Sequence, residues 1–224
     1  MKRTTFFITG TNTGVGKTML TALLTRHLRE RGVNAVALKP VCSGGRADAR
    51  ALRRASDGAL TLDEINPWHF RAPMAPLLAA RRERRRVALA DVLAHVRTMQ
   101  KRFDMVLIEG AGGLLSPLGE KFDSRELITA LRATPIVVCP NRLGAVNQFL
   151  LTLAALAQRE SGRACVVLMS PSRPDASTAT NAGLLAEFLD TKRIFCLPQL
   201  GGRFDPEKVL KDPRVRRTFC RLVK

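Results

Sequence analysis

The chain has no tyrosine and one tryptophan among 224 residues, and it is short of acid: 19 Asp and Glu against 37 Lys and Arg, a formal charge of +18. Such a charge attracts polyanions. The missing tyrosine, however, leaves few rings to stack on bases. The arginines also recur along the whole chain, with one dense cluster at Arg81-Arg82-Glu83-Arg84-Arg85-Arg86. No specific nucleic-acid partner is expected. No apolar run approaches the ~18–20 residues needed to cross a bilayer, so no membrane association is expected. The basic start Met1-Lys2-Arg3 leads into an apolar run that Thr9 cuts short, unlike a secretory leader. Five cysteines, an odd number with no C-x-x-C pair, suit reduced thiols in a cytoplasmic protein better than disulfides or a zinc site. There is no internal repeat and no low-complexity linker. The length suits one domain over 1–224, with 204–224 expected as a charged, loosely packed helical tail.

What is present is a loop. Gly10-Thr11-Asn12-Thr13-Gly14-Val15-Gly16-Lys17-Thr18 follows the apolar run Phe6-Phe7-Ile8 and precedes a helical pattern. Backbone N–H groups of such a loop cradle phosphate oxygens, the lysine neutralises them, and the threonine hydroxyl suits Mg²⁺. A strict G-x-x-x-x-G-K-T spacing wants glycine at Thr11; here it comes one place earlier, at Gly10.

Apolar strands then alternate with amphipathic helices. Helical spacing covers 19–31, 48–55, 87–103, 124–131, 146–159 and 180–189. Strands are predicted at 33–38, 105–108, 135–139, 164–169 and 193–197, and a loop around Asn66-Pro67-Trp68. This alternation predicts an α/β fold of the P-loop NTPase type, a mostly parallel central sheet with helices on both faces. Ligands bind such sheets beyond the carboxyl ends of the strands. The polar motifs all fall there: the loop, Lys39-Pro40, Glu109-Gly110-Ala111-Gly112-Gly113 and Asn141-Arg142-Leu143-Gly144. The sheet would bring Lys39 near the phosphates. Glu109, ending the run Met-Val-Leu-Ile, fits the acidic position that helps hold Mg²⁺. Asp48 opens a helix, and its position alone fits an N-cap or first-turn acid as well as a metal ligand.

Thr9 to Thr18, Lys39-Pro40-Val41-Cys42-Ser43-Gly44, Asp48-Ala49-Arg50-Ala51-Leu52 and Glu109 to Gly113 resemble, in the same order, the dethiobiotin synthetase family. Asn66-Pro67, Pro73, Pro76, Leu143-Gly144 and Asn147 extend the likeness over roughly 3–200. The resemblance implies a homodimeric cytoplasmic enzyme that uses ATP and Mg²⁺ to close a cyclic urea on a small diamine and CO₂. It implies Lys17 and Lys39 as catalytic. Gly14, Val15, Gly16, Lys17, Thr18, Met19 and Gly110, Ala111, Gly112 would hold the nucleotide, and Thr18, Asp48 and Glu109 the metal. Thr13 and Ser43 would bind the diamine or carbamate. Gly144, Ala145 and Asn147 would serve the substrate carboxylate across the dimer. Met169, Ser170, Pro198, Gln199, Leu200 and, less directly, Asp205 would surround the base.

The chain departs from that family at informative places. Asn12 and Gly14 replace loop carboxylates, Ala75-Pro76-Leu77 replaces Ser-Pro-His, and Met169 stands where an asparagine reads adenine. The tyrosine that binds the substrate carboxylate has no counterpart. Relaxed base selectivity is therefore expected, with Arg142 compensating at the carboxylate. The same residues leave two other readings: a ligase of this fold acting on another substrate, or a P-loop partitioning or regulatory ATPase.

Overall fold

The structure, a computed structural model, describes residues 3–200 and 206–223. Six strands form a parallel sheet in the order β2-β5-β1-β6-β7-β8: β1 (Thr4–Gly10), β2 (Ala35–Leu38), β5 (Met105–Glu109), β6 (Thr134–Pro140), β7 (Cys165–Met169) and β8 (Ile194–Leu197). The sheet grows from β1 toward β2 on one side and toward β8 on the other. The carboxyl end of β1 is thus a topological switch point. In the β1–β5 register, Ile8 lies opposite Glu109.

Alternate side chains of β1 feed opposite faces. Phe6 and Ile8 pack with Leu20, Leu23, Leu24 and Leu28 of α1 (Lys17–Glu30). Phe7 joins Val92 and Val96 of α5 (Leu89–Arg102) and Leu127 and Ile128 of α6 (Ser124–Leu131). Each fully buried leucine or phenylalanine contributes about 1.5–3 kcal/mol. Reciprocal caps set helix starts near the site: Asp123 with Glu126 opens α6, and Asp175 with Thr178 opens α9 (Ala176–Leu185).

Several elements differ from the sequence expectation. β4 (Trp68–Phe70) enters the stretch expected as a loop around Asn66-Pro67-Trp68, and α3 (Leu62–Ile65), started by a Thr61–Glu64 capping box, precedes it. β4 pairs in parallel with β3 (Val41–Ser43) as a separate two-stranded sheet. The helix expected at 146–159 is broken: Leu156 is extended, φ −76° and ψ 150°, between α7 (Ala145–Ala155) and α8 (Gln158–Ser161). α9 begins four residues ahead of 180 because Asp175 caps it. The tail is not loosely packed. In α10 (Pro206–Leu210) and α11 (Pro213–Leu222), Val209, Leu210, Val215, Phe219 and Leu222 are buried in the core that α1 shares. α2 (Ala47–Ala55) and α4 (Pro76–Arg82) complete the elements around the site.

Candidate active site

The loop between β1 and α1 turns through two left-handed glycines, Gly14 at φ 75° and Gly16 at φ 102°. A Cβ on Gly10 would lie 2.6 Å from Val15 Cγ2, so position 10 of this loop has no room for a side chain. Gly16 is the N-cap of α1 and supplies no side-chain acceptor; the first turn holds no acid. The opening N–H groups of α1 therefore face the loop without a capping side chain, the electrostatics an anion needs.

Lys17 is buried, and its Nζ donates to the Asn12 carbonyl at 2.9 Å. Asn12 also accepts from the Thr13 N–H at 2.7 Å through Oδ1, so it braces the loop. Burial pushes the Lys17 ammonium down to about 8; Glu109 opposes that shift and Lys39 adds to it. Across the cleft, Lys39 directly follows β2 and is clamped by two carboxylates, donating to Asp48 and to Glu109 Oε1, the latter at 2.7 Å. Burial works against the Lys39 charge, but Glu109 and Asp48 outweigh it and hold the ammonium above its ordinary range. Thr18 Oγ1 donates to the same Glu109 Oε1 at 2.7 Å.

The second oxygen, Glu109 Oε2, is buried with no hydrogen-bond partner among the described residues. A buried carboxylate oxygen without a donor is costly, and a bound cation removes that cost. Thr18 hydroxyl and the carboxylates of Asp48 and Glu109 form an all-oxygen donor set, the kind that suits Mg²⁺. Asp48 is the second residue of α2, behind Arg46 as N-cap, so it acts as a first-turn acid turned to Lys39 rather than as the cap.

These groups line one cleft of about 750 Å³ with Thr13, Gly14 and Gly16 of the loop, Met19 of α1, Ser43 of β3, and Ala111 and Gly112 after β5. Ser43 Oγ donates to the Met74 carbonyl, tying β3 to the Pro73–Pro76 segment of the far wall. Of the expected residues in the loop and the turn after β5, Val15 and Gly110 do not line it: Val15 is buried, and a Cβ on Gly110 would meet Phe7 and Ser124 at 3.0 Å. The base-side residues form a second group at the ends of β7 and β8. Met169 reaches the loop, its Cε lying 3.2 Å from where a Cβ on Gly16 would stand. Ser170 N–H donates to the Leu197 carbonyl at 3.1 Å, while Pro198, Gln199 and Leu200 follow β8. Asp205 lies outside the described residues.

The α7 group stands apart from the cleft lining. Gly144, φ 87°, starts the helix with no side-chain cap, and Asn147 is exposed. Ala145 has its side chain buried and its N–H bonded to the Arg142 carbonyl at 3.0 Å. Thr11 Oγ1 touches Gln148 Oε1 at 3.5 Å, which links this helix to the phosphate loop. Sequence reasoning missed Ser116 and Pro117, which line the cleft; Ser116 Oγ accepts from the Gly113 N–H at 2.9 Å. Their signal was a hydroxyl and a proline three and four residues past the glycine pair.

A parallel sheet with a phosphate loop at its switch point and a lysine held between two acids defines a P-loop NTPase. A family described as an AAA domain matches residues 4–203. Solved structures share the fold: a ParA family ATPase from Chlorobium tepidum has a TM-score of 0.56 at 13% identity, covering 98% of this chain and 97% of its own. A pNOB8 ParA bound to nonspecific DNA has a TM-score of 0.54 at 13% identity, covering 99% and 97%. Much closer in sequence is the ATP-dependent dethiobiotin synthetase BioD of Anaeromyxobacter dehalogenans, 41% identical over 86% of this chain and 88% of the relative. The same-named proteins of Akkermansia muciniphila and Bacillus licheniformis are 37% and 35% identical, over 83% and 87% of this chain and 87% and 86% of theirs. The chain belongs to the ATP-dependent dethiobiotin synthetase family of ligases.

Proposed function

We propose that this protein closes the ureido ring of dethiobiotin from 7,8-diaminopelargonate, CO₂ and ATP. The observation that carries the reading is Lys39, held by Asp48 and Glu109 at the rim of the phosphate loop, with Lys17 facing the same cleft. One amine of the substrate takes up CO₂ as a carbamate. The carbamate oxygen attacks the γ-phosphorus and the bond to the β-phosphate oxygen breaks, releasing ADP and leaving a carbamic–phosphoric anhydride. The second amine then attacks the carbonyl carbon, a C–N bond forms, and phosphate leaves. Thr13 and Ser43 hydrogen-bond the carbamate or diamine. Lys17 and Lys39 offset the negative charge gathering between carbamate and γ-phosphate, the electrostatic role that dominates phosphoryl transfer.

Thr18, Asp48 and Glu109 would hold Mg²⁺, which would neutralise phosphate oxygens. The ends of β7 and β8, from Met169 to Leu200, bound the base. Substrate carboxylate at the start of α7, near Gly144 and Asn147, requires a second copy of the chain. A homodimer is supported by the exposed leucines Leu143 (81%), Leu151 (63%) and Leu115 (54%) beside that helix.

The direct test is incubation with 7,8-diaminopelargonate, bicarbonate, Mg²⁺ and ATP, with dethiobiotin read by mass spectrometry. Normal ATP binding without product rejects the reading. Sedimentation equilibrium tests the dimer: a monomer at full turnover removes it.

A further inference from the structure

Asp48 and Glu109 hold the tip of the Lys39 side chain, but the Lys39 backbone is held from elsewhere, by the corner between α3 and β4. α3 ends at Asn66, because Pro67 follows and a residue before proline is steered out of helical geometry. Asn66 is 0% exposed. Its Nδ2 donates to the Lys39 carbonyl at 2.8 Å and reaches the Pro40 carbonyl at 3.4 Å. The Lys39 N–H donates to the Ile65 carbonyl at 2.9 Å, and the Trp68 N–H donates to the Pro40 carbonyl at 3.0 Å. Proline has no N–H, so every backbone polar group of Lys39-Pro40 is taken up by the 65–68 corner. The same corner faces α2. Arg46 Nη2 donates to the Leu62 and Asn66 carbonyls, both at 3.0 Å, and to Asp63 Oδ1 at 2.7 Å. Arg46 is the N-cap of α2, two residues ahead of Asp48.

We infer that Asn66 is a positioning residue for phosphoryl transfer: its amide fixes the Lys39 backbone, and its carbonyl, through Arg46, fixes the start of α2 that carries Asp48. The inference rests on the proposed role of Lys39 at the γ-phosphate. A lysine tip bound by two carboxylates still moves with its own main chain, and so does Asp48 with the start of its helix. Asn66 ties both roots to one buried point. Its Oδ1 is buried with no hydrogen-bond partner among the described residues, so only the donor end is used. An idle buried acceptor is costly, and an apolar side chain of the same shape avoids that cost. The amide is therefore held here for its N–H, and the groups that N–H meets are the carbonyls of Lys39 and Pro40.

The experiment compares Asn66→Ala and Asn66→Asp with the parent; both remove the donor, the second with almost no change of shape. Dethiobiotin formation is followed at varied ATP and diamine, hydrogen exchange of the 36–42 segment by mass spectrometry, and melting by circular dichroism. In both variants kcat is expected to fall between about tenfold and 100-fold, the cost of a small misplacement, with the ATP KM within about twofold because Lys17 and its loop are untouched. Exchange at 36–42 should quicken. Thr61→Ala is the control: it removes the capping hydroxyl at the exposed opposite end of α3 and should lower the melting temperature while keeping kcat. Should the Asn66 variants fail to fold, Arg46→Met, which leaves the amide in place, is expected to lower kcat in the same direction by less. A folded variant of either residue with parental kcat, or a loss that Thr61→Ala reproduces, overturns the inference. Absence of product from the parent rejects the proposed reaction instead; exchange at 36–42 then decides alone, and unchanged exchange overturns the role of Asn66.

Discussion

Lys39 and Glu109 form a buried ion pair, 2.7 Å from Nζ to Oε1, with the carboxylate side chain fully enclosed and the ammonium nearly so. Each comes from the carboxyl end of a neighbouring strand, β2 or β5, so the sheet itself holds them together. Removing one partner of such a pair strands the other's charge, at about 3 kcal/mol or more. Lys39→Met is expected to lower unfolding stability by that amount and abolish turnover. The double variant Lys39→Met/Glu109→Gln should recover part of the stability. Urea denaturation of the two single variants and the double variant checks this; strictly additive losses contradict the coupling.

Met169 bears on the choice of nucleotide. Its side chain covers Gly16 at the head of α1, and a thioether is at best a weak acceptor with nothing to donate. GTP and CTP are expected to support turnover within about tenfold of ATP, the scale of one forgone hydrogen bond to a base. Met169→Asn should restore a preference for ATP. Strict ATP dependence in the parent protein, measured as kcat/KM for each nucleotide, argues against this.

Arg142 is exposed just ahead of α7, in a chain with no tyrosine to bind a substrate carboxylate. Arg142→Ala is expected to raise the diamine KM by about tenfold or more, the scale of a charge-assisted bond, with kcat little changed. An unchanged KM removes Arg142 from substrate binding.

His27 makes stability depend on pH. Burial, with Arg31 and Arg216 nearby, holds the imidazole below its ordinary value of 6.5. The folded protein resists protonation there while the unfolded chain takes up a proton below that value. This contribution is fully present above 6.5 and is lost as the pH falls through the folded-state value. The urea midpoint should drop between about pH 7 and 5, and His27→Gln should flatten that slope. Parallel slopes exclude His27 as the source.

Phe219 fastens the C-terminal helix to the core. It is fully buried, and Phe219→Ala is expected to cost about 3–5 kcal/mol. Calorimetry showing an unchanged Tm would mean that α11 is dispensable.

The phosphate loop, Lys39 and Glu109 were legible in the sequence because each ends an uninterrupted apolar run, and strand ends converge in a parallel sheet. Asp48 was legible only as a choice, since its α2 position does not reveal that the carboxylate turns to Lys39. β3 and β4 escaped because three residues are too few to display a period of two. The start of α9 escaped because Asp175 and Thr178 set it, and the apolar spacing begins later. The packing of α10 and α11 was hidden by their charged residues, Glu207 and Lys208 in α10 and four arginines in α11: a charged outer face masks a buried stripe of five apolar residues.

The pairing of Ile8 with Glu109 has a further consequence. Successive strand residues point to opposite sides, so a slip of one position between β1 and β5 would turn Glu109 away from Lys39 and Thr18. The chemistry is therefore indexed by backbone alignment as much as by side-chain identity. Insertions should be tolerated in the exposed turn around Arg84, whereas a single residue added within Met105–Glu109 would silence the enzyme while leaving every reactive group in the chain.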